Sequence, residues 1–379
     1  MALSAVSRLF FYGSLRHVPL LEIVLGRSAA ELELTTTHLP DHQVCAVAEG
    51  PFPTLISKSG GRAVGLVVAG LSAEDIARLD YYEGGFDYDL VDLPLEEGGT
   101  AQVYMSPAGR WTATEPWSLE VWERNWGAMS CHAAREVMGY RGTRSREEVA
   151  EIFGPIRTRA WARVLAADAR HGAGTLHGKV TLTDHARVYS DFFALDEMNL
   201  QFERFDGTMS PALKRSVFVP VDAALVLPYD PVRDRVMMVE QVRVGPIVRG
   251  DVACWQLEPI AGRIDPGETP QEAARREAEE EAGVALGKLE SVAECYASPG
   301  NSTEFFHIFV GIADLPDDVA GVGGLASEDE DIRSHIMSFD AFMTLCDTLQ
   351  VANSPLVLAG YWLAQHRERL RSEGSTATS

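Results

Sequence analysis

The sequence lacks any uncharged apolar run approaching the roughly 18 residues that a helical membrane span requires. Its first residues, MALSAVSRLFFYGSLR, run directly into a strand-like segment, so the expectation is a cytoplasmic protein without membrane contact. Cysteine pairs at CxxC spacing are also missing. Cys45, Cys131, Cys254, Cys295 and Cys346 stand far apart and are odd in number, which excludes a disulfide framework and a cysteine-based zinc or redox site and leaves them as core thiols. Cations are scarce, with 33 Lys and Arg against 55 Asp and Glu for a formal net charge of -22. That balance argues against nucleic acid as a partner. It also means that a phosphate-bearing ligand reaches only a site where a metal ion or grouped arginines reverse the field.

What is present is enough for two cores. At 379 residues, 46% hydrophobic and 23% charged, the chain is globular in composition and too long for one core. Residues 1-111 hold short strand-like runs (SRLFFYGSL, RAVGLVVAGL, AQVYMS) and one helical stretch, SAEDIARLDYYEG, and read as a small α+β domain. Residues 112-171 turn helical, with WSLEVWERNWGAMSCHAAREVMGY and a capping-box pattern at Ser145 and Glu148, and read as a connector. Strands return over residues 172-371, including a hairpin whose turn is Asp230 to Asp234. A closing helix, VANSPLVLAGYWLAQHRERLR, precedes a polar tail, 372-379, expected to be disordered.

The segment that carries chemistry is GRIDPGETPQEAARREAEEEAGV, Gly262 to Val284. Thr269, Pro270 and Glu272 supply an N-cap, a first-turn proline and a capping-box glutamate, so a helix begins at Pro270, and Gly283 is placed to cap its end. At about 100° per residue, Glu277, Glu280 and Glu281 share one arc beside an Ala274, Ala278, Ala282 strip, with Glu279 facing solvent. Most glutamate runs are simply solvated. Here like charges repel at i,i+4 spacing and crowd the helix end whose dipole disfavours anions, which points instead to a site for Mg²⁺ or Mn²⁺.

This segment resembles the Nudix box at Gly262, Glu268, Arg276, Glu277, Glu280, Glu281, Gly283 and Val284, with Ala278 smaller than the usual aliphatic. The resemblance implies a C-terminal Nudix α/β/α sandwich with a mixed sheet. It implies metal ligands at Glu277, Glu281 and the Ala261 carbonyl, with Glu280 a third or outer ligand, while Arg276 is expected to pair with Glu280. YDPVRDRVMMVEQVRV, WQLEPIAGRI, YASPGNSTEFFHIFVG, GLASEDEDI and NSPLVLAGYWLAQH resemble the ADP-ribose pyrophosphatase branch. That likeness implies Arg243 against a substrate phosphate, Ser298 and Glu304 at the ribose end, Glu328 as general base, and Glu330 as a further metal ligand. The implied reaction is hydrolysis of ADP-ribose to AMP and ribose 5-phosphate, in a homodimer whose DFFALDEMNLQF region approaches the partner's adenine pocket. The box specifies diphosphate chemistry and not the attached groups, so a nucleotide sugar stays open as substrate.

Near the N-terminus, Tyr12, Gly13, Ser14, Leu15 and Arg16, with FPTL at Phe52 and LDYYEG ending at Glu83 and Gly84, resemble the gamma-glutamylcyclotransferase-like (AIG2-like) fold, a β-barrel with helices. The likeness implies that the backbone of Gly13 to Leu15 holds a carboxylate or oxyanion and that Glu83 is an acid/base. The usual Tyr-x-Arg appears as Tyr88, Asp89, Leu90, without its arginine. The pairing of the two domains resembles bacterial proteins named for tellurite resistance. Three functions stay open: a diphosphate hydrolase, an ADP-ribose sensor, and an N-terminal enzyme with a regulatory Nudix partner.

Overall fold

The computed structural model describes residues 8–84, 88–167, 174, 177–317, 319–324 and 330–377. The chain divides into two compact units, residues 1–171 and 172–379. Among the described residues no helix is long and apolar enough to cross a membrane.

The first unit contains β1 (Leu9–Phe11), α1 (Val18–Leu25), β2 (Glu33–Val47), β3 (Gly50–Ala69), α2 (Ala73–Glu83), β4 (Asp89–Pro94), β5 (Thr100–Met105) and β6 (Ala113–Pro116), followed by α3 (Leu119–Trp122), α4 (Ala128–Gly139), α5 (Arg146–Glu151) and α6 (Phe153–Ala167). Ser72 and Asp75 close a capping box at the start of α2, and Ser145 and Glu148 close the expected one at α5. The strands lie in the order β4-β5-β1-β3-β2-β6. β4 and β6 are the ends of this path, so the closed barrel expected from the resemblance is not formed among the described residues. Strand alternation still gives the sheet two apolar faces. Phe10, Leu39, Leu55 and Val103 fill one, and Leu9, Phe11 and Val68 pack on the other against Leu20, Leu79, Trp122 and Ala134 from the helices. The stretch expected as a connector therefore contributes core to this unit, and a buried Arg159–Glu136 ion pair of 2.6 Å joins α6 to α4.

The second unit begins with an antiparallel sheet of β7 (Val180–Ser190), β8 (Ala194–Phe202) and β9 (Leu213–Val219). There follow β10 (Ala223–Asp230), β11 (Arg235–Val242), α7 (Val244–Arg249), β12 (Trp255–Glu258), β13 (Ile260–Arg263), α8 (Pro270–Ala282), β14 (Leu289–Tyr296), β15 (Phe305–Ile312), β16 (Val322–Gly323), β17 (Ile332–Ser338), α9 (Phe339–Asp347) and α10 (Ser354–Ala377). The main sheet runs β14-β15-β10-β11-β17-β16, with β12 on β11 and β13 on β10. Its β10–β15 pair is parallel and the others antiparallel, which makes it the mixed sheet expected. The hairpin turns where expected, with Asp230 Oδ1 accepting the Val232 and Arg233 amides and Asp234 at φ 58°.

Helices cover both faces of this sheet. Val236 and Met238 point toward α9 and α10, meeting Phe342, Leu356, Leu363 and Leu370, while Met237 between them joins Val284 and Leu315 on the other side. α10 is fastened to the β10–β11 turn by Arg367, which donates from Nε to Asp234 Oδ1 at 2.9 Å and also pairs with Asp340. The helix continues through most of the tail expected to be disordered, to Ala377. Glu373 explains part of this extension, pairing one turn back with Arg369 and across to Lys288.

Candidate active site

The box folds as its local chemistry dictates. Thr269 accepts from the Glu272 amide and Glu272 reciprocates at the Thr269 amide, Pro270 occupies the first turn, and Gly283 closes α8 in the left-handed conformation at φ 61°. Ala273, Ala274 and Ala278 are fully buried, so nothing bulkier than a methyl group holds the helix off β13 and β10. The closest approach is at Gly262, where a Cβ would overlap the Glu277 carboxyl. Glycine here is a requirement of the site. Gly323 is constrained likewise, since a Cβ would meet the Glu281 carbonyl.

Carboxylates gather around that approach. Glu281 is 4% exposed and accepts from the Ala261 amide at 3.3 Å. Burial first, then Glu277 and Glu330, push its carboxyl up to about 8, against the pull of that hydrogen bond and of Arg243. Burial also raises Glu277, with Arg276 opposing and Glu280 and Glu330 adding to the rise. Arg276 pairs with Glu280 as expected, at 3.0 Å, and holds Glu277 at 2.7 Å and both oxygens of Glu268 at 2.8 and 2.9 Å. Among the described residues no three ligand side chains converge as a finished coordination shell. The chemistry of the donor set nevertheless fits a hard divalent cation: the donors are all oxygen, and buried like charges become compatible once such an ion is bound.

The flanking residues fall around this cluster unequally. Arg243 is close enough to pull on Glu281 and Glu304, and its guanidinium is oriented by buried Glu258 at 2.7 and 2.8 Å, which also accepts from Asn353 at 3.3 Å. Glu304 is raised by burial. Ser298 stands exposed in the turn before it, its carbonyl accepting from the Asn301 and Ser302 amides. Glu328 lies outside the described residues. Sequence reasoning missed Glu258 and Asn353, for which no local pattern exists, and the grip of Arg276 on Glu268, which the fixed Glu268 of the box did signal. It also missed Arg263, whose guanidinium lies 4.4 Å over the Phe192 ring, itself packed on Phe193.

The N-terminal unit holds a separate cavity of about 390 Å³ that brings Tyr12, Gly13, Ser14 and Leu15 together with Glu83. Leu15 is buried in the 3₁₀ turn after β1, and Gly13 leaves just enough room for Pro53, 3.0 Å from where a Cβ would stand. Glu83, half-buried at the end of α2, lines the cavity, and burial pushes its carboxyl up to about 7. Tyr12 is raised by burial, then by Tyr88 and Glu83. This is an apolar, aromatic chamber with one carboxyl poised near neutrality, which suits proton transfer.

Comparison with known proteins finds a family match in each unit. Residues 219–357 match the family described as NUDIX domain, and residues 9–124 match gamma-glutamyl cyclotransferase, AIG2-like. The ADP-ribose pyrophosphatase of Escherichia coli (strain K12) is 38% identical over 186 residues, 49% of this chain and 88% of that protein. The ADP-ribose pyrophosphatase of Haemophilus influenzae is 34% identical, over 48% and 85% of the two chains. A GDP-mannose pyrophosphatase of Escherichia coli (O1:K1 / APEC) is 30% identical, over 48% and 92%.

Proposed function

The chain belongs to the Nudix family, with a gamma-glutamyl cyclotransferase-like domain ahead of its Nudix unit, and from that premise we propose that it hydrolyses ADP-ribose to AMP and ribose 5-phosphate. The observation that carries this reading is the buried Glu281, on which Glu277, Glu330 and Arg243 all act electrostatically, in a unit that aligns over most of the length of two ADP-ribose pyrophosphatases. A pure sensor has no need of such a cluster.

Glu277, Glu281, Glu330 and the Ala261 carbonyl would hold Mg²⁺ or Mn²⁺, with Glu280 outside them. A cation bound there would supply charge neutralisation of the diphosphate and a lowered pKa for the attacking water. Arg276 keeps Glu277 and Glu280 in place. Arg243, oriented by Glu258, offers forked donors to a phosphate. Glu304 and Ser298 bound the ribose end, and Glu328 takes the proton of the water whose oxygen joins phosphorus as the bridging P–O bond breaks. A panel of nucleoside diphosphate derivatives assayed with Mg²⁺ tests the substrate: AMP release from ADP-ribose should exceed cleavage of GDP-mannose. The 30% likeness to a GDP-mannose pyrophosphatase makes a nucleotide sugar the second reading, and preference for GDP-mannose would establish it. Activity should vanish in EDTA and return with Mg²⁺ or Mn²⁺; full turnover in chelator rules the mechanism out.

A homodimer through the Nudix unit is part of the same proposal. The β7-β8-β9 sheet exposes Val180, Leu182 and Tyr189, the β7–β8 turn exposes Phe192, and α7, which buries none of its residues, exposes Val244, Ile247 and Val248, the last 81% accessible. These exposed apolar side chains are what supports the reading. Light scattering should give twice the 41.4 kDa chain mass, reduced to a monomer by Leu182→Asp with Val248→Asp. A monomeric wild type contradicts the proposal.

The N-terminal cavity supports a second activity, acid/base chemistry on a gamma-glutamyl amide, because Tyr12 to Leu15 and Glu83 share one chamber. Glu83→Gln should abolish any cyclotransferase turnover and leave ADP-ribose hydrolysis intact. Turnover that survives the substitution removes Glu83 from the chemistry.

A further inference from the structure

One wall of the N-terminal cavity comes from outside the family segment. That segment ends at residue 124, yet Met129 and Val137 of α4, Arg146 of α5, and Phe153 and Arg157 of α6 all line the chamber. These helices are built into the unit: Ala134 joins the sheet core, Met129, Val137 and Ile156 form a cluster of their own, and the buried Arg159–Glu136 pair ties α6 to α4. The wall is thus part of the packed unit.

The wall also changes the charge of the chamber. Where the Tyr-x-Arg pattern has its arginine, this chain has Leu90, which sits on β4 opposite Tyr104 and is not among the lining residues. The helices bring guanidinium groups instead. Arg157 is half-buried on α6, and Arg146 reaches back to the end of α2, where a Cβ on Gly84 would stand 2.5 Å from its Nη1. Arg110 is a third lining cation, held 4.9 Å over the Trp111 ring. In a chain of net charge -22, this local grouping is what would let a small anion enter. Among the described lining residues Glu83 is the one acid, so the arginines face a chamber that holds a single carboxyl.

We propose that Arg157, assisted by Arg146 at the mouth, is the anion anchor of the N-terminal cavity, in place of the arginine absent at Leu90. The ligand is then a small amide that carries a carboxylate as well as the group that meets Glu83. The proposal rests on reading the cavity as a binding site for such amides.

Two probes that differ by one charge separate the two ideas: a γ-glutamyl anilide and its carboxyl methyl ester, titrated calorimetrically into the full chain. Wild type should bind the acid at least about tenfold more tightly than the ester, and Arg157→Gln should weaken the acid by about 10- to 100-fold while leaving the ester unchanged, the range expected for a lost charge-assisted hydrogen bond. Arg157→Lys should recover part of the preference, keeping the charge and losing the fork. Equal affinity of the two probes for wild type overturns the anchor and leaves the binding site standing. Binding of neither overturns both. Should Arg157→Gln lose both probes, failure of Arg157→Lys to restore any preference for the acid overturns the anchor.

Discussion

Glu281→Gln is expected to abolish ADP-ribose turnover while the protein stays folded. Glu281 is buried beside the Ala261 amide, and glutamine keeps the same shape and can still accept that hydrogen bond through its amide oxygen. What it removes is a charge. Loss of one anionic ligand should reduce transition-state stabilisation by several kcal/mol, about 10³-fold or more in rate. Without metal an ionisable carboxyl here is a burden, since burial first and then Glu277 and Glu330 disfavour its charged form. The variant should therefore melt at or a few degrees above wild type in metal-free buffer, as about 1 kcal/mol allows in a unit of this size. In saturating Mg²⁺ the order should reverse, because wild type alone gains stability from the ion. A large loss of melting temperature without metal would reveal a structural partner for Glu281 and remove it from the ligand set.

Glu328→Gln should lower kcat by about 10² to 10⁴, the effect of losing a positioned general base, with KM and metal requirement nearly unchanged. The residue belongs to a Ser-Glu-Asp-Glu-Asp run, and its assignment rests on likeness to the ADP-ribose pyrophosphatase branch. Its neighbours supply the controls. Glu330→Gln should instead raise the Mg²⁺ concentration needed for half-maximal rate, since Glu330 acts on Glu277 and Glu281. Asp329→Asn and Asp331→Asn remove equal charge and should change little. Four similar, small losses would show that the loop works only through its net charge and would send the search for the base back to the box.

What could be read from the sequence was whatever is decided within a few residues. The start and end of α8 were legible because Thr269, Pro270, Glu272 and Gly283 act on backbone groups one turn away. The carboxylate arc followed from helical periodicity. The pairing of β2 with β3 was not foreseen: TTTHLPDHQVCAV is polar, and the irregularity at Pro40 and His42, with Asp41 at φ 57°, interrupts its alternation. The orientation of Arg243 by Glu258 and Asn353 was equally hidden, because residue 353 lies 95 positions from residue 258 and only the folded sheet and α10 bring them together. Residues 112–171 were visible as helices but not as a cavity wall. Their amphipathic pattern indicates that one side is buried, and nothing in it says that Trp122 Nε1 will donate to the Pro51 carbonyl or that Arg157 will face Glu83's chamber.

The fastening of α10 to the β10–β11 turn sets an order of events during synthesis. The first unit has its strands and helices by residue 167 and can collapse while the rest is still being made. The second cannot. Its sheet is complete at Ser338, yet the face bearing Leu225, Leu227, Val236 and Met238 waits for Leu356, Leu363 and Leu370, and Asp234 waits 133 residues for Arg367. Throughout that interval a nascent chain presents a greasy sheet to its surroundings. A chain interrupted between residues 338 and 370 would carry that face uncovered beside an N-terminal unit able to fold, so the arrival of α10 removes an aggregation-prone surface.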